Sequence, residues 1–472
     1  MPGSKSIARR LTAYVRSRFT SLIKPAKTDQ SSIANPIAAL RLLTRKQWLF
    51  FIVALAGWTW DAFDFFSVSL TISHVARTLQ RSVQDISWGI TLVLMFRPIG
   101  AIIFGVWADH AGRKWPFVAN CVLFCVLELG TGFVATFSQF LAVRAMFGVA
   151  MGGIYGNAAA TALEDCPEPA RGIISGMLQQ GYALGYLLCV VLSRALVTTT
   201  PHGWRTLFWV GAGPPVLIIA FRIVLPETDA YLAKRARRHA NQEQQLPLNA
   251  AIDDSDSSFL TAAGVAVRTQ WPVMAYMVVL MAGFNFMSHG SQDMYPTLLT
   301  TDRGMTANAA TLTMVVAKIG AITGGILIGH VSELLGRRLA VMLSCAVGAS
   351  LIYPWAIAGT GSGSMATAMP AVFWLQFMVQ GAWGVVPVYL SELSPVSVKV
   401  FVVGVAYQLG NLAASGTATI IADLAAKHDG YATVMAIFMA CAFGFLIIVA
   451  FLGPDRRLAT ADSDPESSSL QD

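Results

Sequence analysis

The chain has 472 residues, of which 55% are hydrophobic and 12% charged, and its mean hydropathy of +0.58 is more than a soluble fold of this size can bury. A soluble enzyme is excluded, and lipid is the solvent this composition requires. The formal net charge of +7 reflects an uneven placement of Lys and Arg along a membrane protein and gives no reason to expect a nucleic acid partner.

Residues 1–46 form a basic tail in which Arg9, Arg10, Arg16, Arg18, Lys24 and Lys27 are opposed only by Asp29. The tail has no short apolar core with a cleavage site, so the first membrane span is expected to act as the insertion signal. Its basic cluster reads as a cytosolic segment beside anionic lipid, or alternatively as an organellar targeting peptide. Apolar runs of about 20 residues, enough to cross a hydrocarbon core of roughly 30 Å as a helix, then predict spans over 47–73, 86–108, 114–135, 138–160, 172–195 and 204–224. Residues 225–270, with KRARRHANQEQQ and DDSDSS, are too polar to bury a core and read as a linker. Six further spans follow over 271–299, 309–333, 339–360, 367–391, 398–422 and 431–452, and residues 453–472 form a second tail. The expected fold is an all-α membrane protein of twelve helices in two six-helix halves, 47–224 and 271–452.

An even number of spans puts both termini on one side. Twenty-three Lys and Arg fall on that side and six on the other, so both termini are expected to be cytoplasmic. Five of the six cysteines fall within spans and only Cys166 in a loop, which reads as small apolar residues and not as a disulfide framework. No metal-ligand spacing, phosphate-cradling loop or nucleophile–base pattern is present, so neither an ATP-driven pump nor an enzyme has its chemistry here.

The two halves repeat each other in the same order. GVWADHAGRKWPF at 105–117 follows the second span and GHVSELLGRRLAV at 329–341 follows the eighth; helices 4 and 10 correspond more loosely, over 152–172 and 381–400. Gly105 allows close helix packing, Asp109 sits where the second helix ends, and Arg113 can pair with it or cap a helix C-terminus beyond Gly112. Glu333 and Arg337 are the corresponding residues of the second half. The pattern Gly105, Asp109, Gly112, Arg113, Lys114 resembles the loop signature G-x-x-x-D-x-x-G-R-[KR] of the major facilitator superfamily. Arg144 with Gly148, Gly152 and Gly153 is similar to that superfamily's helix 4 signature. The resemblance implies parallel six-helix repeats with a substrate site between them near the midplane. It also implies a gating latch formed by Gly105, Asp109, Gly112, Arg113, Arg144, Glu333 and Arg337.

Ionisable residues inside spans cost at least about 2.5–3.5 kcal/mol each at mid-bilayer and so call for a function or a partner. The candidates are Asp61, Asp64, Arg97, Glu128, Arg144, His289, Asp293 and Lys318. In NFMSHGSQDMYPT (285–297), Asn285, His289 and Asp293 are four apart, with Ser288, Gln292 and Thr297 beside them, which predicts one polar stripe along the seventh helix. Such a stripe suits a small, hydrogen-bonding, ionisable solute; the plainer reading is interhelical polar glue. This stretch resembles the motif N-x-x-[ST]-H-x-[ST]-Q-D-x-x-x-T of the fungal Jen-type carboxylate–proton symporters, at Asn285, Ser288, His289, Ser291, Gln292, Asp293 and Thr297. WDAFDFF at 60–66 and TLVLMFRPIGAIIFG at 91–105 extend the likeness into the first half.

Arg97 lies too deep to snorkel and keeps a bidentate fork when dry, so it would hold either the substrate carboxylate or a structural acid among Asp61, Asp64 and Glu128. His289 changes charge near neutral pH, and with Asp293 one turn away it is the expected proton-coupling pair, with Glu128 in reserve. Gln408 and Asn411 resemble polar positions on the opposite wall of the Jen-type site. The resemblance thus implies a multi-pass plasma-membrane transporter, working as a monomer, that imports a lactate- or pyruvate-like acid with a proton as coupling ion and no cofactor. A dicarboxylate carrier with Lys318 as a second cation, a sugar or drug facilitator, and a nutrient sensor are the alternatives.

Overall fold

In hydrocarbon every backbone N–H and C=O has to find its partner within its own segment, and the described residues contain helices and no strand. The structure, a computed structural model, describes residues 14, 16–20, 22, 35–245, 255–357, 364–428 and 430–454. Arg9, Arg10, Lys24, Lys27, Asp253, Asp254 and the tail from 455 onward lie outside them. The first half comprises α1 (Arg45–Leu79), α2 (Gln84–Ala111), α3 (Lys114–Thr131), α4 (Phe137–Leu163), α5 (Glu168–Leu196) and α6 (Trp204–Val224). The second comprises α7 (Val267–Thr301), α8 (Ala307–Leu335), α9 (Arg337–Ser350), α10 (Met365–Leu393), α11 (Val396–Lys427) and α12 (Tyr431–Leu452). Among the described residues, all except α9 are long and apolar enough to cross a membrane. The shorter α9 is continued by a π-helical turn, Tyr353–Ile357.

Several helix starts are set by side chains that satisfy the first orphan N–H groups. Thr44 with Gln47, Ser82 with Asp85, and Thr136 with Gln139 form reciprocal capping boxes at the starts of α1, α2 and α4. Both α1 and α2 extend beyond the apolar runs at each end, because hydropathy marks what lipid tolerates and not where a helix ends. Residues 225–270 contain a helix, Asp229–Gln245, and the helix leading into α7 begins at Ser255, since Ala, Lys, Arg, Gln and Glu are good helix formers however polar the segment.

Consecutive spans alternate in direction, so the ends of α2, α4, α8 and α10 share one face with the starts of α5 and α11; we call it the linker face. There the halves meet through two equivalent contacts. A Cβ on Gly105 of α2 would stand 2.6 Å from the Phe401 Cα of α11, and one on Gly329 of α8 would stand 2.8 Å from the Gly176 Cα of α5. Ser175 Oγ donates to the Gly384 carbonyl at 2.7 Å and accepts the Val388 N–H at 3.0 Å. The linker face is thereby closed. On the opposite face a cavity of about 410 Å³ lies between α1, α5, α7 and α8, lined by Leu70, Tyr186, Ser193, Thr297, Thr311 and Met314 among others. Arg194 Nη2 reaches Asn308 Oδ1 across its mouth at 3.1 Å.

The backbone-to-backbone seam has no room for a side chain. Gly176→Leu is expected to prop the linker face open, so that a cysteine introduced at Ser175 reacts with an impermeant maleimide from that side, above the native-cysteine background. The same cysteine beside an unaltered Gly176 should stay protected.

Candidate functional site

The first half positions its charges by helix packing. Gly148 and Gly152 of α4 lie against α2, where a Cβ at 148 would come within 2.6 Å of the Val93 carbonyl and one at 152 would collide with the Arg97 carbonyl. Pro98 has no N–H to offer the turn that carries Arg97. The Arg97 guanidinium points into the bundle, with Nη2 at 3.2 Å from Asp61 Oδ2 of α1 and the Phe65 ring 5.6 Å away. Only 2% of Arg97 and none of Asp61 is exposed. Of the two sequence readings for Arg97, the structure shows the ion pair and identifies Asp61 as its partner.

Asp64, Glu128 and Arg144, from α1, α3 and α4, form a second buried group within electrostatic reach of one another. Arg144 also covers the Phe147 ring at 4.3 Å. The sequence reading grouped Arg144 with the latch; the structure places it two turns from the start of α4, toward the face opposite the linker, with intramembrane acids as its neighbours. The glycines that follow it pack α4 closely against its neighbours.

The seventh-helix stripe is present over 285–293 and then interrupted. The helix breaks at Asp293 and Met294 and resumes as Tyr295–Thr301 with Pro296 in its first turn, so Thr297 lies beyond the break and lines the cavity. His289 Nδ1 is 2.9 Å from Asp293 Oδ2, and its Nε2 is 3.2 Å from Asn411 Oδ1 of α11. One imidazole thus joins a carboxylate on its own helix to an amide across the site. Gln292 Nε2 donates to Ser288 Oγ at 3.1 Å and its Oε1 accepts from Lys318 Nζ of α8 at 2.5 Å. Asn285 donates to the Met281 carbonyl at 2.8 Å, and Ser291 faces α10, accepting from Gln376 at 3.1 Å. Gln408 is fully buried, and its amide meets no hydrogen-bond partner among the described residues.

Near Gln408 and Asn411 is an aromatic floor that the sequence does not announce. Tyr155 and Tyr407 stack at 3.8 Å, with Trp58 at 5.0 Å from Tyr155 and Trp383 at 5.9 Å from Tyr407. Each of these rings comes from a different helix, so no spacing along the chain could reveal the cluster.

The latch residues form two matching ion pairs at the linker face. Arg113 meets Glu164 through both Nε (3.0 Å) and Nη2 (2.7 Å), and its Nη1 donates to the Ala108 carbonyl at 2.7 Å. Asp109 lies 3.3 Å from Arg113 and accepts the Phe401 N–H at 2.9 Å, which ties α2 to the other half. In the second half Arg337 holds Glu392 at 2.8 Å, Glu333 and Ser332. Gly112 and Gly336 have φ of +100° and +88°, in which a Cβ is strained. Burial opposes the charge on Arg113, but Glu164 and Asp109 more than offset it and hold its pKa above the ordinary guanidinium value. Lys114 has its ammonium over the Trp115 ring instead, at 5.8 Å. Sequence reasoning missed Glu164 and Glu392, although both begin an E-x-x-P run in the loosely repeated segment.

Removing one member of a buried pair costs up to about 3–5 kcal/mol, and less here because Asp109 and Glu333 remain beside Arg113 and Arg337. Glu164→Gln and Glu392→Gln are each expected to lower the thermal unfolding midpoint of detergent-solubilised protein markedly. Lys46→Ala, which removes an exposed pair with Asp229, should leave it almost unchanged, because such pairs contribute about 0–1 kcal/mol.

Residues 34–461 match the sugar (and other) transporter family. The carboxylic acid transporter protein homolog of Saccharomyces cerevisiae is 35% identical over 461 residues, covering 94% of this chain and 74% of that one. The niacin transporter NiaP of Acinetobacter baylyi is 23% identical over 432 residues, covering 88% and 95%. Among solved structures, the major facilitator superfamily proton:xylose symporter XylE superposes with a TM-score of 0.69 at 16% identity, over 86% of this chain and 94% of that one, which bears on the fold alone. The helix repeat, the matching linker-face ion pairs and these matches together place the chain in the sugar (and other) transporter family of the major facilitator superfamily, as a multi-pass membrane transporter and not an enzyme.

Proposed function

We propose that this transporter carries a short-chain monocarboxylate such as lactate or pyruvate together with a proton, inward across the plasma membrane, with both termini cytoplasmic. The observation that carries this reading is His289, bonded at once to Asp293 and to Asn411. A proton taken up by this pair changes the charge beside the solute and the link between α7 and α11 in one step, which is what coupling requires. The relative named as a carboxylic acid transporter supports the substrate class. Arg97 supplies the deep cation. Its Nε has no partner among the described residues, which leaves an edge of the fork for a carboxylate while Asp61 keeps the guanidinium compensated. Asn285, Ser288, Gln292 and Thr297 on one wall, with Gln408 and Asn411 on the other, complete the polar contacts. No cofactor is needed, and one chain holds every group used.

One observation favours a second place for the proton. Asp61, Asp64 and Glu128 are three buried carboxyls served by two buried guanidiniums, Arg97 and Arg144, so electrical neutrality within that cluster calls for one proton among them. Glu128 is the member that reaches this group from α3.

Uptake of labelled lactate is expected to be at least about tenfold faster at pH 5 than at pH 7.5 and to collapse with a protonophore, with xylose not competing. Uptake indifferent to both treatments would contradict symport. His289→Ala should flatten the pH profile while Glu128→Gln keeps it; the reverse would move the proton to the first half. Arg97→Lys keeps the charge and loses the fork, and should cut kcat/KM by about tenfold or more, roughly 1.4 kcal/mol. Unchanged transport would remove Arg97 from the substrate site.

A further inference from the structure

We propose that Lys318 is the first cation to receive the substrate carboxylate from the open face, ahead of Arg97; this rests on the carboxylate reading above. Lys318 lies three turns into α8, about 16 Å along it, and is 6% exposed. Arg97, Arg113 and Arg337 each hold a carboxylate at ion-pair distance. Among the described residues, the contacts of the Lys318 ammonium are neutral: Gln292 Oε1 at 2.5 Å and the Tyr186 ring at 4.8 Å. Asp293, an acid within electrostatic reach, is bonded to His289.

A lysine held this way in a low dielectric attracts an anion strongly. The surroundings leave room for one. Tyr186, whose ring the ammonium faces, lines the 410 Å³ cavity, as does Met314, one helical turn from Lys318, so the cavity ends one side chain short of the ammonium, between the halves. Gln292 is locked by Ser288 with its carbonyl oxygen turned toward Lys318. It therefore works as a positioning residue for the ammonium. A carboxylate entering from the open face meets Lys318 together with the hydroxyls of Tyr186 and Thr297. Arg97 is already engaged by Asp61 and becomes its partner only deeper in the cycle.

The test is the concentration dependence of labelled lactate and pyruvate uptake, normalised to surface protein, for the wild type, Lys318→Gln and Lys318→Arg. Lys318→Gln should raise KM at least about tenfold with Vmax within about twofold, and Lys318→Arg should stay within about threefold of the wild-type KM. An unchanged KM in Lys318→Gln overturns the proposal. Where Lys318→Gln does not reach the membrane, Gln292→Glu decides, since it gives the ammonium a resident carboxylate of nearly the same shape. A tenfold rise in KM then supports capture at Lys318, and an unchanged KM shows a structural cation and overturns it. A wild type that takes up no carboxylate at all overturns the functional reading beneath the proposal.

Discussion

A charge inside a helix bundle surrounded by lipid has to be met by an opposite charge, a polar cage or a proton, because solvent cannot supply the balance. Where this protein places each compensating group determines most of the rest of its structure. The Arg97–Asp61 pair ties α2 to α1, while glycines let α4 approach α2 backbone to backbone behind it. The same need brings Asp64, Glu128 and Arg144 together from three helices, and it draws His289, Asp293 and Asn411 into one chain between α7 and α11.

Conformational change is governed by a related constraint. The linker face is closed by contacts with no slack, glycine against backbone on both sides of the seam, flanked by Arg113–Glu164 and Arg337–Glu392 within the halves. Such packing has discrete arrangements and does not deform smoothly. A solute can shift the balance only through its differential affinity for the two arrangements. The proposed site is suited to this, since Lys318 and His289 belong to the second half and Arg97 to the first. A carboxylate passing between these cations would favour the arrangement that brings the halves together around it.

Much of this was legible in the chain, and the remainder was hidden for physical reasons. Hydropathy located eleven of the twelve helices as full spans, because lipid selects for apolar length directly, and overran the short α9. The loop motif was visible because its residues are close in sequence and occur twice. Local spacing also revealed the stripe from Asn285 to Asp293. Glu164 and Glu392, by contrast, lie some fifty residues from the arginines they serve, and only the weak E-x-x-P repeat hints at them. The aromatic floor of Trp58, Tyr155, Trp383 and Tyr407 is built from four helices, one ring each. The acids around Arg144 come from α1 and α3, so the helix 4 motif alone did not show what the side chain would meet. The break at Asp293–Met294, which moves Thr297 from the stripe to the cavity wall, is marked in the sequence only by Pro296.

The central claim is that carboxylate and proton move together through this buried set of charges. The most direct measurement is proton movement in proteoliposomes containing purified protein and an internal pH dye, with no pre-set gradient. Adding lactate outside should acidify the lumen in a saturable way, and xylose at the same concentration should not. Lactate accumulation without protein-dependent acidification would contradict the account.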